Sequence, residues 1–360
     1  MADSTNDINK KLDKFFSKLS NKYTLDAPTQ ALVVSAKNKI NYSYSNVPDD
    51  MPYHVASIGK MMTATMIGIL SDTGLLDVNA KIGVYLSQEI IKDLFAYKGT
   101  DYTENITVLH LLRHTSGIAD YFDSKTNAGS KFVDVALNNP TKIWAPQDLV
   151  EFTRTNQSAV SPPGRFLYSD TGYVLLGMIV ESVTNMPYQD ALKNYIFKPL
   201  SMKDSYLLFS GAPINPKREI AKIWFNNTEI STLNMLSCDW AGGGIVSTTK
   251  DLLIFQRALL NGELVSNNFM SLMQHFEHKF RSGMYYGTGM MELRLEGFFF
   301  LLRGLPRLLG HSGILGTLLF YDKENDINII INLGSNKRVV DSFKAIIYIE
   351  QQIKHIMITR

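Results

Sequence analysis

Ser57 and Lys60 stand three residues apart in HVASIGKMMTATMIGIL, at the front of an otherwise apolar run covering residues 54–70. On a helix that spacing puts both side chains on one face, within reach of each other. Two chemistries compete for the pair. In the plainer one, Ser57 caps the helix by accepting a backbone N–H while Lys60 snorkels to solvent. In the other, the hydroxyl is a nucleophile and the amine its base, which requires a lysine kept neutral by burial and by nearby positive charge. Spacing does not decide between them. A second Ser-x-x-Lys, Ser247 to Lys250 in GGGIVSTTKDLLIF, reads as an ordinary helix start. There Ser247, Thr248 or Thr249 serves as cap, and Asp251 faces the positive end of the helix dipole.

Other reactive side chains carry less. HLLRH at 110–114 resembles half of a zinc-protease helix, but Leu111 occupies the place of the glutamate base. Without that base the motif loses its mechanism, and neither a metal nor any other cofactor is expected. Cys238 is the only cysteine, which excludes an intramolecular disulfide. Its neighbours in LSCDWAGG offer no obvious base, so it reads as a small buried hydrophobe.

The elements that must position these groups follow from composition and periodicity. The chain has 360 residues, 45% of them hydrophobic and 19% charged, with a net charge of +2. That is a globular protein with ample core, and its charge favours neither nucleic acid nor an acidic partner. The start, MADSTNDINKKLDKFF, is polar and amphipathic and lacks the apolar core of a secretory signal. The expectation is a cytoplasmic protein, unless a leader has been removed. No apolar run is long and uninterrupted enough for a transmembrane segment. Nothing in the sequence sets the oligomeric state.

Residues 8–20 suggest an amphipathic helix, and QALVVSAKNKINYSYS two short strands around a turn. From Leu75 to about Leu236 the pattern is mainly helical, with helices over Val108–His114, Ala145–Arg154, Gly172–Thr184 and Tyr188–Phe197. A helix from Lys250 to Leu260 precedes strand-like runs at 285–292, 297–303, 307–312, 315–321 and 327–333. A helix over about 340–356 closes the chain. The five consecutive apolar residues Phe298–Leu302 read as a strand buried on both faces. Strands at both ends and helices between them imply an α/β (α+β) fold, with one antiparallel sheet built from both termini. Residues 1–74 and 237–360 would form the sheet lobe and 75–236 an inserted helical lobe, with the active site in the cleft between them.

Three longer segments narrow the reading. ITVLHLLRHTSGI, PPGRFLYSDTGYVLLGMIVESVTNMPYQDALKNYIFKPLSMKDS (residues 162–205) and LLGHSGILG join the Ser57 segment and AGGGIVSTTKDLLIF in one order. Together they resemble the serine β-lactamase-like superfamily, in the branch of class C β-lactamases, penicillin-binding DD-peptidases, D-amino-acid amidases and esterases. The resemblance implies a β-lactamase/transpeptidase-like fold. It makes Ser57 the nucleophile, with Lys60 and Tyr168 sharing the proton traffic. Ser57 and Ile314 would supply the oxyanion-hole N–H groups. Asp170, His311, Ser312 and Gly313 would bind substrate. Tyr168-Ser169-Asp170 departs from the family's Tyr-x-Asn, since an ionised Asp cannot donate to an acyl-amide carbonyl. Asp170 could pair with Lys60 and raise its pKa, or cap the Gly172 helix. Arg303 or Arg307 could equally supply charge for a substrate carboxylate. The expected partner is a small-molecule or peptide substrate: a D-amino-acid peptide, an amide or a β-lactam, hydrolysed through an acyl-serine as a DD-carboxypeptidase would. A carboxylesterase with the same Ser-Lys-Tyr site and a slow-acylating binding or sensor protein are the rival readings.

The two serines separate in one experiment. Ser57→Ala is expected to abolish ester and amide hydrolysis in a folded protein. Ser247→Ala is expected to keep its rate and lose at most about 0.5–2 kcal/mol of stability as a missing cap. Activity assays paired with thermal unfolding of both variants check this.

Overall fold

A computed structural model describes residues 2–23 and 25–358, with side chains described for 7–23 and 25–355. Helix α1 (Ala2–Ser20) leads into β1 (Gln30–Ser35) and β2 (Ile40–Ser45). The nucleophile helix α2 (Gly59–Asp72) follows, and α3 (Asp170–Thr184) is the long helix of the middle segment. After α4 (Thr249–Leu260) the chain runs through β3 (His278–Arg281), β4 (Met284–Tyr286), β5 (Met291–Arg294), β6 (Arg307–Gly313), β7 (Thr317–Asp322) and β8 (Ile327–Asn332) to α5 (Val339–Ile358).

These strands form one eight-stranded sheet in the order β3-β4-β5-β6-β7-β8-β1-β2. The pairings are antiparallel, and β1 joins β8 with Leu32 opposite Ile330. The two termini therefore meet in mid-sheet, as the order of strands and helices in the sequence implied. INIIIN in β8 is buried at every residue because helices cover both faces of the sheet. Ile329 and Ile331 pack with Leu12 and Phe16 of α1 and with Ile346 and Ile349 of α5. Ile330, pointing the other way, joins Met61 of α2 and Leu252 and Phe255 of α4 in the larger core.

Helix α2 is buried over nearly its whole circumference. Its apolar run packs on α3 and on the short helix Trp240–Gly243. Glycines make those contacts close. A Cβ on Gly177 of α3 would lie 2.6 Å from the Ala241 Cβ, and one on Gly243 would lie 2.7 Å from the Ala56 carbonyl carbon. A small sheet of Tyr53–His54, Ile245–Ser247 and Tyr206–Leu207 holds the residues before Ser57 against the strand after the glycine run.

Two sequence expectations fail here. Residues 285–292 are not one strand but the facing ends of β4 and β5. Residues 297–303 are not a strand at all. Because Arg294 pairs with Arg307, everything between them is the β5–β6 connection, and it folds as two short 3₁₀ turns. Phe299, Phe300 and Leu301 are exposed there instead of buried. The edge strand β3 and the short helices Phe132–Asn138 and Asn267–Met273 are too short to display a period that can be read from sequence. No helix among the described residues is long and apolar enough to cross a membrane.

Candidate active site

Ser57 lies in a 3₁₀ turn (Ala56–Ile58) that runs directly into α2. Neither helix start uses a side-chain cap, so the capping role for Ser57 does not hold. The turn is held from several sides. Ala56 sits at a φ of 52°, a left-handed conformation costly for a residue with a Cβ. Its N–H donates to His54 Nδ1 at 3.2 Å, and the Val55 carbonyl accepts from Thr317 Oγ1 of β7 at 2.9 Å.

Lys60 does not snorkel. It is fully buried, and its ammonium donates to Ser57 Oγ at 3.3 Å, to the Gly242 carbonyl at 2.6 Å and to Asp170 Oδ1. An ammonium has three protons, and here each has an acceptor. Burial alone would push the Lys60 pKa down, but the Asp170 carboxylate and the Tyr168 oxygen outweigh it and hold Lys60 above its ordinary value. A lysine neutral at rest, as a free base would need, is not what this environment favours. Gly242 allows the arrangement, since a Cβ there would stand 2.8 Å from Asp170 Oδ1.

Asp170 opens α3, but the cap is Ser169, whose Oγ accepts from the Gly172 N–H at 3.3 Å. The Asp170 backbone N–H donates to Asp120 Oδ1 at 3.0 Å. Its side chain therefore keeps the other expected role, pairing with Lys60. Two further carboxylates crowd this pair. Burial, then the Asp170 charge, raise Asp120 and lift Asp239 to about 7. Asp239 Oδ2 lies 3.3 Å from His54 Nε2, and burial pushes the His54 imidazole down to about 4, so the ring is neutral. Sequence reasoning missed Asp120, Asp239 and His54. Asp120 follows HTSGIA and Asp239 precedes WAGGG, so both sit beside segments already singled out.

Tyr168 precedes the Ser169 cap and faces the same pair. The Lys60 Nζ is 5.0 Å from its ring centroid. Burial raises the phenol to about 12, against the opposing pull of the Lys60 charge, and the Asp170 charge adds to the rise. Behind it, His114 stacks at 4.2 Å between ring centroids and accepts the Ser169 N–H on Nδ1 at 3.1 Å. That contact fixes the extended segment that carries Tyr168 into α3. His110, the other half of HLLRH, instead accepts the Thr107 N–H at the start of its own helix.

Strand β6 brings His311, Ser312 and Gly313 to the turn, with two corrections. His311 is fully buried, not open to the cleft. Its Nδ1 donates to the Ser312 carbonyl at 2.8 Å and its Nε2 accepts the Tyr286 hydroxyl at 3.3 Å. Burial and the Lys60 charge push the ring down to about 3, so it offers no cation to a substrate anion. Gly313 is needed inside the protein, where a Cβ would stand 2.2 Å from Thr317 Oγ1 and 2.8 Å from the Ala56 Cβ. Ser312 is half-buried and Ile314 is exposed beside it. The Ser57 and Ile314 N–H groups have no acceptor among the described turn and loop hydrogen bonds. Arg307 begins β6 at the end away from Ser312, about 17 Å along the strand at 3.3 Å per residue. Arg303 precedes it in the connection, so neither arginine is placed to meet a substrate carboxylate beside Ser57. The Ser247 segment is structural. Thr248 caps α4, Ser247 is buried against Ser205, and Lys250 lies near Asp49 and Asp50.

A Ser-x-x-Lys at the start of α2 thus stands beside the tyrosine ahead of α3 and is closed by the HSG end of β6. The beta-lactamase family profile matches residues 12–352. The chain belongs to the beta-lactamase family. It is 27% identical over 248 residues to a penicillin-binding protein of Bacillus subtilis, covering 63% of this chain and 50% of that protein. A putative D-alanyl-D-alanine carboxypeptidase of Salmonella paratyphi A is 26% identical over 312 residues, covering 78% of this chain and 68% of that one. The chain thus spans about half the length of the first of these curated relatives. Among solved structures, the D-amino acid amidase of Ochrobactrum anthropi SV3 superposes with a TM-score of 0.76 at 22% identity, covering 97% of this chain and 99% of that one. At that identity it speaks for the fold, a large antiparallel sheet flanked by helices.

The Asp170 charge raises both groups that could accept the Ser57 proton, Lys60 and Tyr168. Asp170→Asn is therefore expected to shift the rising limb of the acylation pH–rate profile to lower pH. With an amide donor also restored for an acyl-amide carbonyl, the neutral-pH rate of acylation by a penicillin acylated at its amine, which offers Asp170 no ammonium, is expected to gain roughly 2–12-fold, the worth of one hydrogen bond. Stopped-flow acylation of both enzymes by that penicillin across pH checks it, and a lower rate in the variant would contradict it.

Proposed function

We propose that the protein is a serine hydrolase that forms an acyl-Ser57 intermediate on D-amino-acid amides or short peptides bearing a free amine. The observation carrying the hydrolase reading is the Ser57 hydroxyl 3.3 Å from the buried Lys60 ammonium, in a turn where neither group caps a helix. Ser57 Oγ attacks the carbonyl while its proton passes to Tyr168, in the small fraction of molecules whose phenol, held at about 12, has already lost its own proton to solvent, and Tyr168 then returns the Ser57 proton to the leaving amine. Lys60, with its three protons committed, lowers the cost of that phenolate by its charge. The Ser57 and Ile314 N–H groups receive the oxyanion. The cleft lies between the helical lobe of 75–236 and the sheet lobe of 1–74 and 237–360.

Charge favours the amine. His311 is neutral, Arg303 and Arg307 lie away from Ser312, and Lys60 is already paired, so none of these four groups offers a free cation to a carboxylate beside Ser57. Carboxylates are in excess instead. Asp170 gives Oδ1 to Lys60, and its second oxygen has no hydrogen bond among the described residues while the side chain keeps 16% exposure. A substrate ammonium held there would weaken Asp170's grip on Lys60 and Tyr168 as it binds, coupling recognition to proton transfer. The carboxypeptidase and penicillin-binding relatives support a serine hydrolase at the level of the family, and the name of the D-amino acid amidase is consistent with an amine-bearing substrate.

Intact-mass spectrometry and steady-state rates test the reading. With D-phenylalanine p-nitroanilide we expect turnover and an acyl adduct that maps to Ser57. The N-acetylated analogue is expected to react at least about tenfold more slowly, a lost charge-assisted hydrogen bond being worth about 1.5–3 kcal/mol. Faster reaction of the acetylated compound, or of penicillin, would move the assignment to carboxylate-bearing cell-wall substrates.

A further inference from the structure

The β5–β6 connection presents a run of apolar side chains to solvent. Phe299, Phe300 and Leu301 are 52%, 69% and 68% exposed, and Phe298 is 36% exposed. Elsewhere large exposed apolar residues occur mostly singly, which needs no explanation; four in succession at one tip do. The loop is built, not slack. Ser282 Oγ donates to the Gly297 carbonyl at 2.6 Å, Lys354 Nζ donates to the Gly304 carbonyl at 3.0 Å, and Phe298 packs on Phe343 of α5 at 5.6 Å between ring centroids. Leu302 turns inward to the core. Three anchors thus hold the tip outward.

The surroundings of the tip are basic. Arg281 is next to the Ser282 that holds Gly297, Arg303 and Arg307 follow the tip in the chain, Lys354 reaches Gly304, and Glu296 is the one carboxylate between residues 295 and 307. Among the described residues Arg281, Arg303 and Lys354 have no carboxylate partner, and Arg307 has only Glu292 at 3.9 Å. Exposed Phe and Leu flanked by Arg and Lys, three of the four with no carboxylate partner among the described residues, match a surface that is apolar within and anionic at its boundary.

We propose that this tip docks the protein on an anionic lipid bilayer, with Phe299, Phe300 and Leu301 entering the interface and the flanking Arg and Lys meeting the headgroups. A second copy of the chain fits less well. A two-fold contact through the tip would set Arg281, Arg303 and Lys354 against their own equivalents, which like charges oppose. The tip also lies beyond the start of β6, about 17 Å along the strand from Ser312, so a docked molecule keeps its cleft clear of the lipid.

Flotation with vesicles tests this, using phosphatidylcholine alone and its equimolar mixture with phosphatidylglycerol. The full chain is expected to float with the mixed vesicles, less so in high salt, and to stay unbound with phosphatidylcholine. Arg303→Glu is expected to lower partitioning about fivefold or more, and F299S/F300S/L301S to abolish it. Both variants should keep wild-type melting and wild-type hydrolysis of a soluble substrate, since the tip is remote from Ser57. Failure of the wild type to float, or equal flotation of wild type and the triple variant, would overturn the proposal. A wild-type dimer that becomes monomeric in the triple variant without any vesicle binding would overturn it in favour of a self-interface.

Discussion

A lysine ammonium with no exposed surface is the constraint around which the site is arranged. An unpaired charge in that position would cost several kcal/mol, so every proton of Lys60 must find an acceptor. The Gly242 carbonyl, Asp170 and Ser57 are those acceptors, and each comes from a different part of the chain. The glycines of AGGG allow the carbonyl to approach, and the Ser169 cap with the Asp120 carboxylate fixes the start of α3 that carries Asp170. The left-handed Ala56 turns Ser57 toward the amine. The same pairing that makes the burial tolerable also raises the pKa of Lys60, which gives a reason for its protons to stay in place and for Tyr168 to carry the transfer.

The electrostatic character of the cleft follows from its surplus of carboxylates. Asp120, Asp170 and Asp239 share one cation, and burial holds two of them partly protonated near neutral pH. His54, His114 and His311 are neutral by burial and add no positive charge. That balance of charge is the ground on which an amine-bearing substrate is proposed. On the far side of the sheet lobe the balance reverses, with Arg and Lys flanking a projecting apolar tip. The two surfaces have opposite preferences and lie at opposite ends of β6.

Much of the fold could be read from period alone. The strands around Lys39, the buried α2, and INIIIN opposite QALVVS all follow from apolar spacing, and their order along the chain implied a sheet shared by both termini. Short helices and the edge strand β3 could not, because they are stabilised by packing more than by their own pattern. Phe298–Leu302 misled for a clear reason: a buried strand and a projecting apolar tip look alike in composition, and only the pairing of Arg294 with Arg307 separates them. In the site, the closeness of Ser57 and Lys60 was legible from three-residue spacing. Asp120 and Asp239 were not, since nothing local ties them to Lys60. His311 resisted for the same reason, because the hydroxyl that bonds it belongs to Tyr286 on β4.

The central claim is that Asp170 keeps Lys60 an ammonium in the resting protein. NMR of protein labelled with ¹⁵N at lysine Nζ reads this directly, with the Lys60 signal assigned by its loss in Lys60→Arg. The account requires an ammonium resonance for Lys60 through neutral and mildly alkaline pH, and a titration moved to lower pH in Asp170→Asn. A neutral Lys60 amine at neutral pH in the wild type, or a titration indifferent to Asp170→Asn, would contradict it.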